Sequence, residues 1–350
     1  MNRLRYHALW ATLLLCSLLE LLGCTLPLEA GNGVSLHGQL HVEGTGLVDE
    51  RGQATMLRGM SSHGIAWYPQ YLNGGAMKTL REYGANLFRI AVYTEPKGAY
   101  LEDPKRSLDY LYMGMESALS QDLYVIVDWH ILEDGNPNQY AKEAESFFRE
   151  VSAHYADEPG VLYEICNEPN GETTWDDIVE YAGQIIPVIR ANSPNAVIII
   201  GTPDYCTNFT GPLEQPLEFD NILYSLHRYI DISVPGTGDA GQLPALLDQG
   251  IPIFVSEWGV SWGEQAYLEE EAEDSSDIVN PERAQPFIDY MEGHNVSWAG
   301  WALSNKDEWH SALRTDCGKL SGWTEEDLTV SGRLMFGNFK GHGREGLADG

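Results

Sequence analysis

Two glutamates stand where apolar runs of the chain give way to polar residues: Glu168, directly after Val161–Asn167, and Glu257, inside Ile253–Trp258. Carboxyl groups facing each other across a ligand can divide labour. One protonates a leaving oxygen while the other attacks the carbon it leaves, which is the minimal apparatus for breaking a glycosidic bond. Placed close together, they also push their proton affinities apart, because ionising the second beside the first is unfavourable. Arg89, on a third apolar run, is the cation that would hold a neighbouring carboxylate ionised. The competing readings are a structural carboxylate pair and a cation site, although a calcium or magnesium cage wants more oxygen ligands than two Glu supply.

Such residues need elements that bring them together. Eight short apolar, β-branched runs recur from residue 56 onward: Met56–Ser61, Asn86–Tyr93, Tyr124–His130, Val161–Asn167, Val197–Thr202, Ile222–Tyr229, Ile253–Trp258 and Ser297–Ser304. Helical spacing of apolar residues fills the intervals at about 75–83, 106–121, 137–156, 174–192, 240–249 and 281–294. Asn136-Pro137 is a start signal for the third of these. Near-continuous apolar strands imply burial on both faces, as in a parallel sheet under helices, so the pattern predicts a single (β/α)8 barrel of the α/β class. Gly38–Gln53, with its Gly-rich turns, reads as a small N-terminal β-hairpin closing the barrel bottom.

Active sites of such barrels gather at the C-terminal ends of the strands. Nearly every run ends in a polar residue: His63; Arg89 and Tyr93; Asp128 and His130; Asn167 and Glu168; His227 and Tyr229; Glu257; and Trp301 with Asn305, Lys306 and Glu308. Any one could be an ordinary satisfied polar group, but convergence at one rim favours a site. Glu168 and Glu257, on the fourth and seventh runs, would face each other across the mouth. Trp67, Tyr93, Tyr205, Trp262, Trp301 and Trp309 supply flat faces suited to pyranose rings, whereas Trp129, Trp258 and Trp298 fit the core equally well. The His-x-His of hydrolytic metal barrels and a Gly-rich phosphate nest are both missing from the pattern, so neither metal nor cofactor is expected.

Composition narrows the partners. With 21 Lys plus Arg against 52 Asp plus Glu, a formal charge of -31 and no basic cluster, the chain is unsuited to nucleic acid and to anionic membrane surfaces. Residues 1–30 read as a secretory signal: Arg3, Arg5 and His7 precede the apolar stretch Ala8–Leu19. Leu21-Leu22-Gly23-Cys24 is similar to a lipoprotein cleavage box, so the product is expected to be either secreted or anchored in the outer membrane by a lipid on Cys24. Residues 31–342 then form the barrel domain, and 343–350 a tail. Of the remaining cysteines, Cys166 reads as core, while Cys206 and Cys317 would form a bridge if their loops meet. Glu264–Asp277 carries seven acidic residues and no basic one, and reads as a longer solvated loop after the seventh strand.

Taken in order, the motifs resemble glycoside hydrolase family 5, specifically its bacterial endo-β-1,4-glucanases, over residues 34–340. They are Leu57-Arg58-Gly59-Met60-Ser61-Ser62-His63-Gly64 with Trp67-Tyr68; Phe88-Arg89 with Tyr93; Asp128-Trp129-His130-Ile131 with Asp134-Gly135-Asn136-Pro137-Asn138; Tyr163-Glu164-Ile165 running into Asn167-Glu168-Pro169-Asn170-Gly171; Leu226-His227 with Tyr229; Glu257-Trp258-Gly259; and Trp301 with Leu303-Ser304 and Lys306. The resemblance implies Glu168 as acid/base and Glu257 as nucleophile of a retaining reaction. It further implies that Arg89 and Tyr229 position Glu257, that Asn167 contacts the sugar 2-hydroxyl, and that His130 and His227 complete the centre. His63, Trp67, Tyr93, Trp301, Lys306 and Glu308 would line the glycone subsites. Tyr205 stands where the family often has Trp on the aglycone side, and Gly263 where it often has Ala. The expected enzyme is a cofactor-free monomer acting on a β-glucan, with no obligate protein partner. A mannanase, lichenase or xyloglucanase of the same family and a non-catalytic carbohydrate-binding barrel are the alternatives.

Overall fold

The computed structural model describes residues 32–262 and 279–341. The leader with Cys24, Gly263 and the acidic stretch Glu264–Asp277, and the tail from 343 lie outside the described residues.

Eight parallel strands close into a barrel: β4 (Arg58–Ser62), β5 (Leu87–Tyr93), β6 (Tyr124–His130), β7 (Val161–Glu164), β8 (Ile198–Ile200), β9 (Ile222–Asp231), β10 (Ile253–Ser261) and β11 (Trp298–Leu303), with β11 pairing β4 to complete the ring. Before them, β1 (His41–Glu43), β2 (Gly46–Val48) and β3 (Ala54–Thr55) form a small antiparallel sheet. Leu40 and Leu47 of this segment pack with Leu87, Tyr124, Leu162, Leu223 and Phe254, residues near the strand starts, so the hairpin plugs the N-terminal end of the barrel. Tyr124 donates to the Gly38 carbonyl at 2.7 Å and Val42 N–H to Asn221 at 3.1 Å, which tie the plug down.

Helices cover the outside: α1 (Gly74–Tyr83), α2 (Pro104–Leu119), α3 (Ala141–His154), α4 (Trp175–Arg190), α5 (Leu243–Asp248), α6 (Gln285–Gly293) and α7 (Val330–Asn338). Their starts follow local chemistry. Asn73 accepts from Ala76 N–H, Asp103 accepts from Arg106 N–H ahead of Pro104, and Thr174 with Asp177 forms a reciprocal capping box. Asn136-Pro137 opens a 3-10 turn, Pro137–Tyr140, and the α-helix begins only at Ala141. The helix α7 went unread because Gly332 and Gly337 dilute its apolar periodicity. Between β8 and β9 the chain makes only short turns, Pro203–Cys206 and Thr210–Glu214.

The loops of Cys206 and Cys317 do not meet in a bridge. Both thiols are free and buried, with Cys206 Sγ donating to the Asn167 carbonyl at 2.9 Å and Cys317 Sγ lying beside Lys319 and Asp327 on the loop after β11. Cys166 is buried core, as are Trp129, Trp258 and Trp298.

Candidate active site

Side chains on a strand alternate faces, so every second residue points into the barrel. The inward face reads Leu87, Arg89, Ala91, Tyr93 on β5 and Tyr124, Ile126, Asp128, His130 on β6. On β7 it reads Leu162, Glu164, and on β9 Leu223, Ser225, His227, Tyr229. The first members make the apolar floor, and the later ones build a polar layer above it. On β10 the register slips: Phe254 pairs with Ser225 but Glu257 with His227, so one extra residue of β10 intervenes. This bulge lets consecutive residues, Ser256 and Glu257, both reach the interior cluster.

Arg89 is the hub of that layer and is fully buried. Its Nε donates to Glu164 Oε2 at 2.6 Å, Nη1 to Glu257 Oε2 at 3.0 Å and Ser61 Oγ at 3.2 Å, and Nη2 to Asn167 Oδ1 at 2.6 Å. Asp128 Oδ2 pairs with the same Nη2 at 3.0 Å. Burial works against the guanidinium charge, but the carboxylates of Asp128, Glu164 and Glu257 outweigh it and keep Arg89 charged. In return, although burial favours the neutral acid, Arg89 holds the Glu164 carboxyl down at about 2.

Two histidines flank this hub in different states. His130 faces Asp128 Oδ2 through Nδ1 at 2.6 Å, while its Nε2 meets the Asn167 amide Nδ2 at 3.3 Å. The amide can only donate there, so Nδ1 carries the proton and His130 is neutral. Burial and the nearby Arg89 charge agree, lowering its pKa to about 3. His227 Nδ1 lies 2.7 Å from Glu168 Oε1 and 3.9 Å from Glu257 Oε1. Burial opposes a charge there, but Glu257, Glu164 and Glu168 outweigh it and lift His227 to about 10. Burial would likewise raise Glu168, yet its bond to His227 holds it below the usual range. Tyr229 exposes its ring to the cleft while its enclosed hydroxyl donates to Glu257 Oε1 at 2.7 Å. Glu168, His227 and Glu257 present donor atoms within 4.8 Å of one another.

Around this centre the rim is aromatic. His130 stacks on Trp301 with ring centroids 5.2 Å apart, and Tyr93 lies 4.0 Å from His130. Trp67 meets Tyr93 edge-on at 5.1 Å and is partly exposed. His63 packs beside Trp301, its Nδ1 accepting from Gly64 N–H at 2.7 Å and its Nε2 lying 3.2 Å from Lys306 Nζ, while Lys306 also bonds Glu308 at 2.6 Å. On the other side Tyr205 stands exposed in a left-handed turn shared with Asp204 and Cys206, its N–H bonded to the Pro169 carbonyl beside Glu168. Trp262 is buried against Trp309 and lines a hollow of about 380 Å³ with Lys306 and Glu308.

Residues 48–307 match the family model of the cellulases, glycosyl hydrolase family 5. Endoglucanase A of Butyrivibrio fibrisolvens is 41% identical over 84% of this chain and 67% of its own length; an endoglucanase of Clostridium saccharobutylicum is 40% identical over 86% and 65%. The chain thus spans about two thirds of these relatives. The catalytic domain of a Thermobifida fusca endoglucanase, solved in complex with cellotetraose, superposes with a TM-score of 0.77 at 30% identity, covering 88% of this chain and 99% of that one. The chain belongs to glycosyl hydrolase family 5.

Within this family-5 barrel, three buried members of the site have no role assigned by the sequence motifs, although Glu164 stands in one of them. Glu164 bonds Arg89, and Ser256 Oγ donates to Glu164 Oε1 at 2.6 Å while touching Ser225 Oγ at 2.6 Å and His227 Nε2 at 3.1 Å. Alternation is the signal that could have found them: Glu164 is two residues beyond Leu162, and Ser225 two beyond Leu223, on inward faces. Ser256 follows Phe254 by the same step.

Proposed function

We propose that the chain is an endo-acting, retaining β-1,4-glucanase that cleaves internal bonds of cellulose-type glucans with Glu168 and Glu257. The observation that carries this reading is the separation of their carboxylate oxygens, within 4.8 Å. Double displacement uses carboxyl groups about 5 Å apart, whereas direct inversion by water needs roughly 6.5–9.5 Å. In the first step Glu257, held by Arg89 and the Tyr229 hydroxyl, attacks the anomeric carbon while Glu168 protonates the departing oxygen. In the second, Glu168 takes a proton from the water that releases the glycosyl-enzyme. Trp301 and Tyr93 line the reacting sugar's side of the cleft with His63, Trp67, Lys306 and Glu308, and Tyr205 the leaving side. The relatives' names and the cellotetraose bound by a similar domain support a glucan substrate.

Proton NMR of the first-formed product tests the mechanism: the β-anomer is expected, and the α-anomer would overturn it. A panel of carboxymethylcellulose, mannan, lichenan and xyloglucan tests the substrate, with the fastest viscosity loss expected on the first. The leader adds an address, with export of a cofactor-free monomer and either cleavage or lipidation at Cys24. The mass of the mature N-terminus separates the two outcomes.

A further inference from the structure

Ser256 lies beside the nucleophile on the β10 bulge, fully buried, and its hydroxyl meets three partners. A hydroxyl has one proton to give. Glu164, ionised by Arg89, can only accept, so Ser256 donates to Glu164 Oε1 at 2.6 Å. Ser225 Oγ must then donate to Ser256, and His227 Nε2, 3.1 Å away, must carry a proton and donate as well. With Nε2 protonated, the other ring nitrogen is left facing Glu168 Oε1 across 2.7 Å with one proton between them. That proton sits on either atom without changing any other bond in the network.

We infer that Ser256 is a positioning residue that locks His227 with its proton on Nε2 and thereby loads the Nδ1–Oε1 bond with the proton that Glu168 delivers to the leaving oxygen. The inference rests on the proposed role of Glu168. On delivery, the proton leaves the His227–Glu168 pair for the glycosidic oxygen, and His227 is left neutral with Nε2–H still bonded to Ser256. Without the Ser256 oxygen, Nε2–H loses its hydrogen-bond acceptor, and Glu164 Oε1 at 3.9 Å is beyond hydrogen-bond reach. His227 can then hold its single proton on Nδ1 instead, pointing it at an ionised Glu168. The other charged and titratable groups facing the pair are Glu164, Glu257, Asp128 and the Arg89 cation, with His130, the Cys206 thiol and the Tyr93 and Tyr229 hydroxyls near Glu168. All of them remain in Ser256→Ala.

The test compares the alkaline limb of kcat/KM for a cellooligosaccharide, whose leaving oxygen needs a proton, and for 2,4-dinitrophenyl β-cellobioside, whose phenolate does not. In Ser256→Ala the limb for the cellooligosaccharide should fall by about one to two pH units, the change that losing one charge-assisted hydrogen bond produces. The dinitrophenyl substrate should show no such fall, and Ser256→Thr, which keeps the hydroxyl, should restore the profile. An unmoved limb in Ser256→Ala, or an equal shift on both substrates, overturns the inference. Glu168→Gln, run alongside, separates the two claims: if it fails to harm the cellooligosaccharide more than the dinitrophenyl glycoside, the acid assignment itself is wrong.

Discussion

Replacing Arg89 by Met removes a fully buried cation while roughly keeping its volume. Three carboxylates lose their partner: Glu164 at 2.6 Å, and Glu257 and Asp128 at 3.0 Å. Breaking a buried ion pair from one side costs about 3–5 kcal/mol, because a charge is left without compensation. The loss does not triple, since the orphaned carboxyls relieve themselves by taking up protons. Against a total stability of roughly 5–15 kcal/mol, this should lower the melting temperature by about 10 °C at neutral pH. The pH dependence should also change sign. In the wild type, Glu164 is held at about 2, below its unfolded value of roughly 4.3, so it stabilises the fold above that value and this contribution is lost as pH falls toward 2. In Arg89→Met the same carboxyl keeps only the Ser256 hydroxyl and the nearby His227 against full burial, which raises its folded pKa above the unfolded one. Its burden is then absent at low pH and grows as pH rises. Urea unfolding at pH 5, 6.5 and 8 should therefore show the gap between wild type and variant widening with pH. A gap below about 1 kcal/mol at pH 7, or one constant from pH 5 to 8, would refute the hub assignment.

Other consequences follow from single contacts. Tyr229→Phe removes the 2.7 Å bond to Glu257 and should lower kcat/KM about tenfold to a hundredfold with the fold intact; an unchanged rate would remove Tyr229 from the machinery. Glu257→Ala should lose several powers of ten in turnover, and azide should restore an α-glycosyl azide; a β-azide would mean that the two glutamates' roles are exchanged. Cys166, Cys206 and Cys317 are all free, so a reductant should leave the melting temperature unchanged, and thiol titration should find all three after unfolding without reductant. With a formal charge of -31, self-repulsion is large and salt screens it, so stability should hold or rise as NaCl increases; a monotonic fall would contradict this.

How much of this was legible in the chain depended on which periodicity carried the information. The barrel strands announced themselves because burial on both faces makes Tyr124–His130 or Ile253–Trp258 nearly continuous apolar runs. Glu168 and Glu257 were visible as polar interruptions at or near the ends of such runs. Glu164, Ser225 and Ser256 were not, because they sit within them and look like local exceptions; only alternation counted from the floor residues shows that they point inward. Ser256 was hardest, since an unbroken count from it would send Glu257 outward, and only the bulge reconciles the two. The cysteine bridge was left open for a different reason: sequence separation says nothing about where a thiol is already engaged, and Cys206 bonds the Asn167 carbonyl in the loop that carries Glu168.

The same alternation explains why stability and chemistry are joined in one layer. Below it the barrel is filled by Leu87, Ile126, Leu162 and Phe254, which exclude water from the floor of the site. A carboxylate placed directly on that floor is costly to ionise unless donors are fixed around it. Arg89 meets this need by engaging all three of its nitrogens: its strand register, Ser61 on one side and Ile126 on the other, sets its backbone two residues below Asp128, and its long side chain reaches Glu164 and Asp128. Under the proposed mechanism, donors held this way need no rearrangement as charge passes between Glu257, the sugar and Glu168, which is the condition under which electrostatic stabilisation is largest. It also follows that substitutions in this layer should not separate cleanly into stability and activity classes. Those on the rim, such as Trp67 or Tyr205, should.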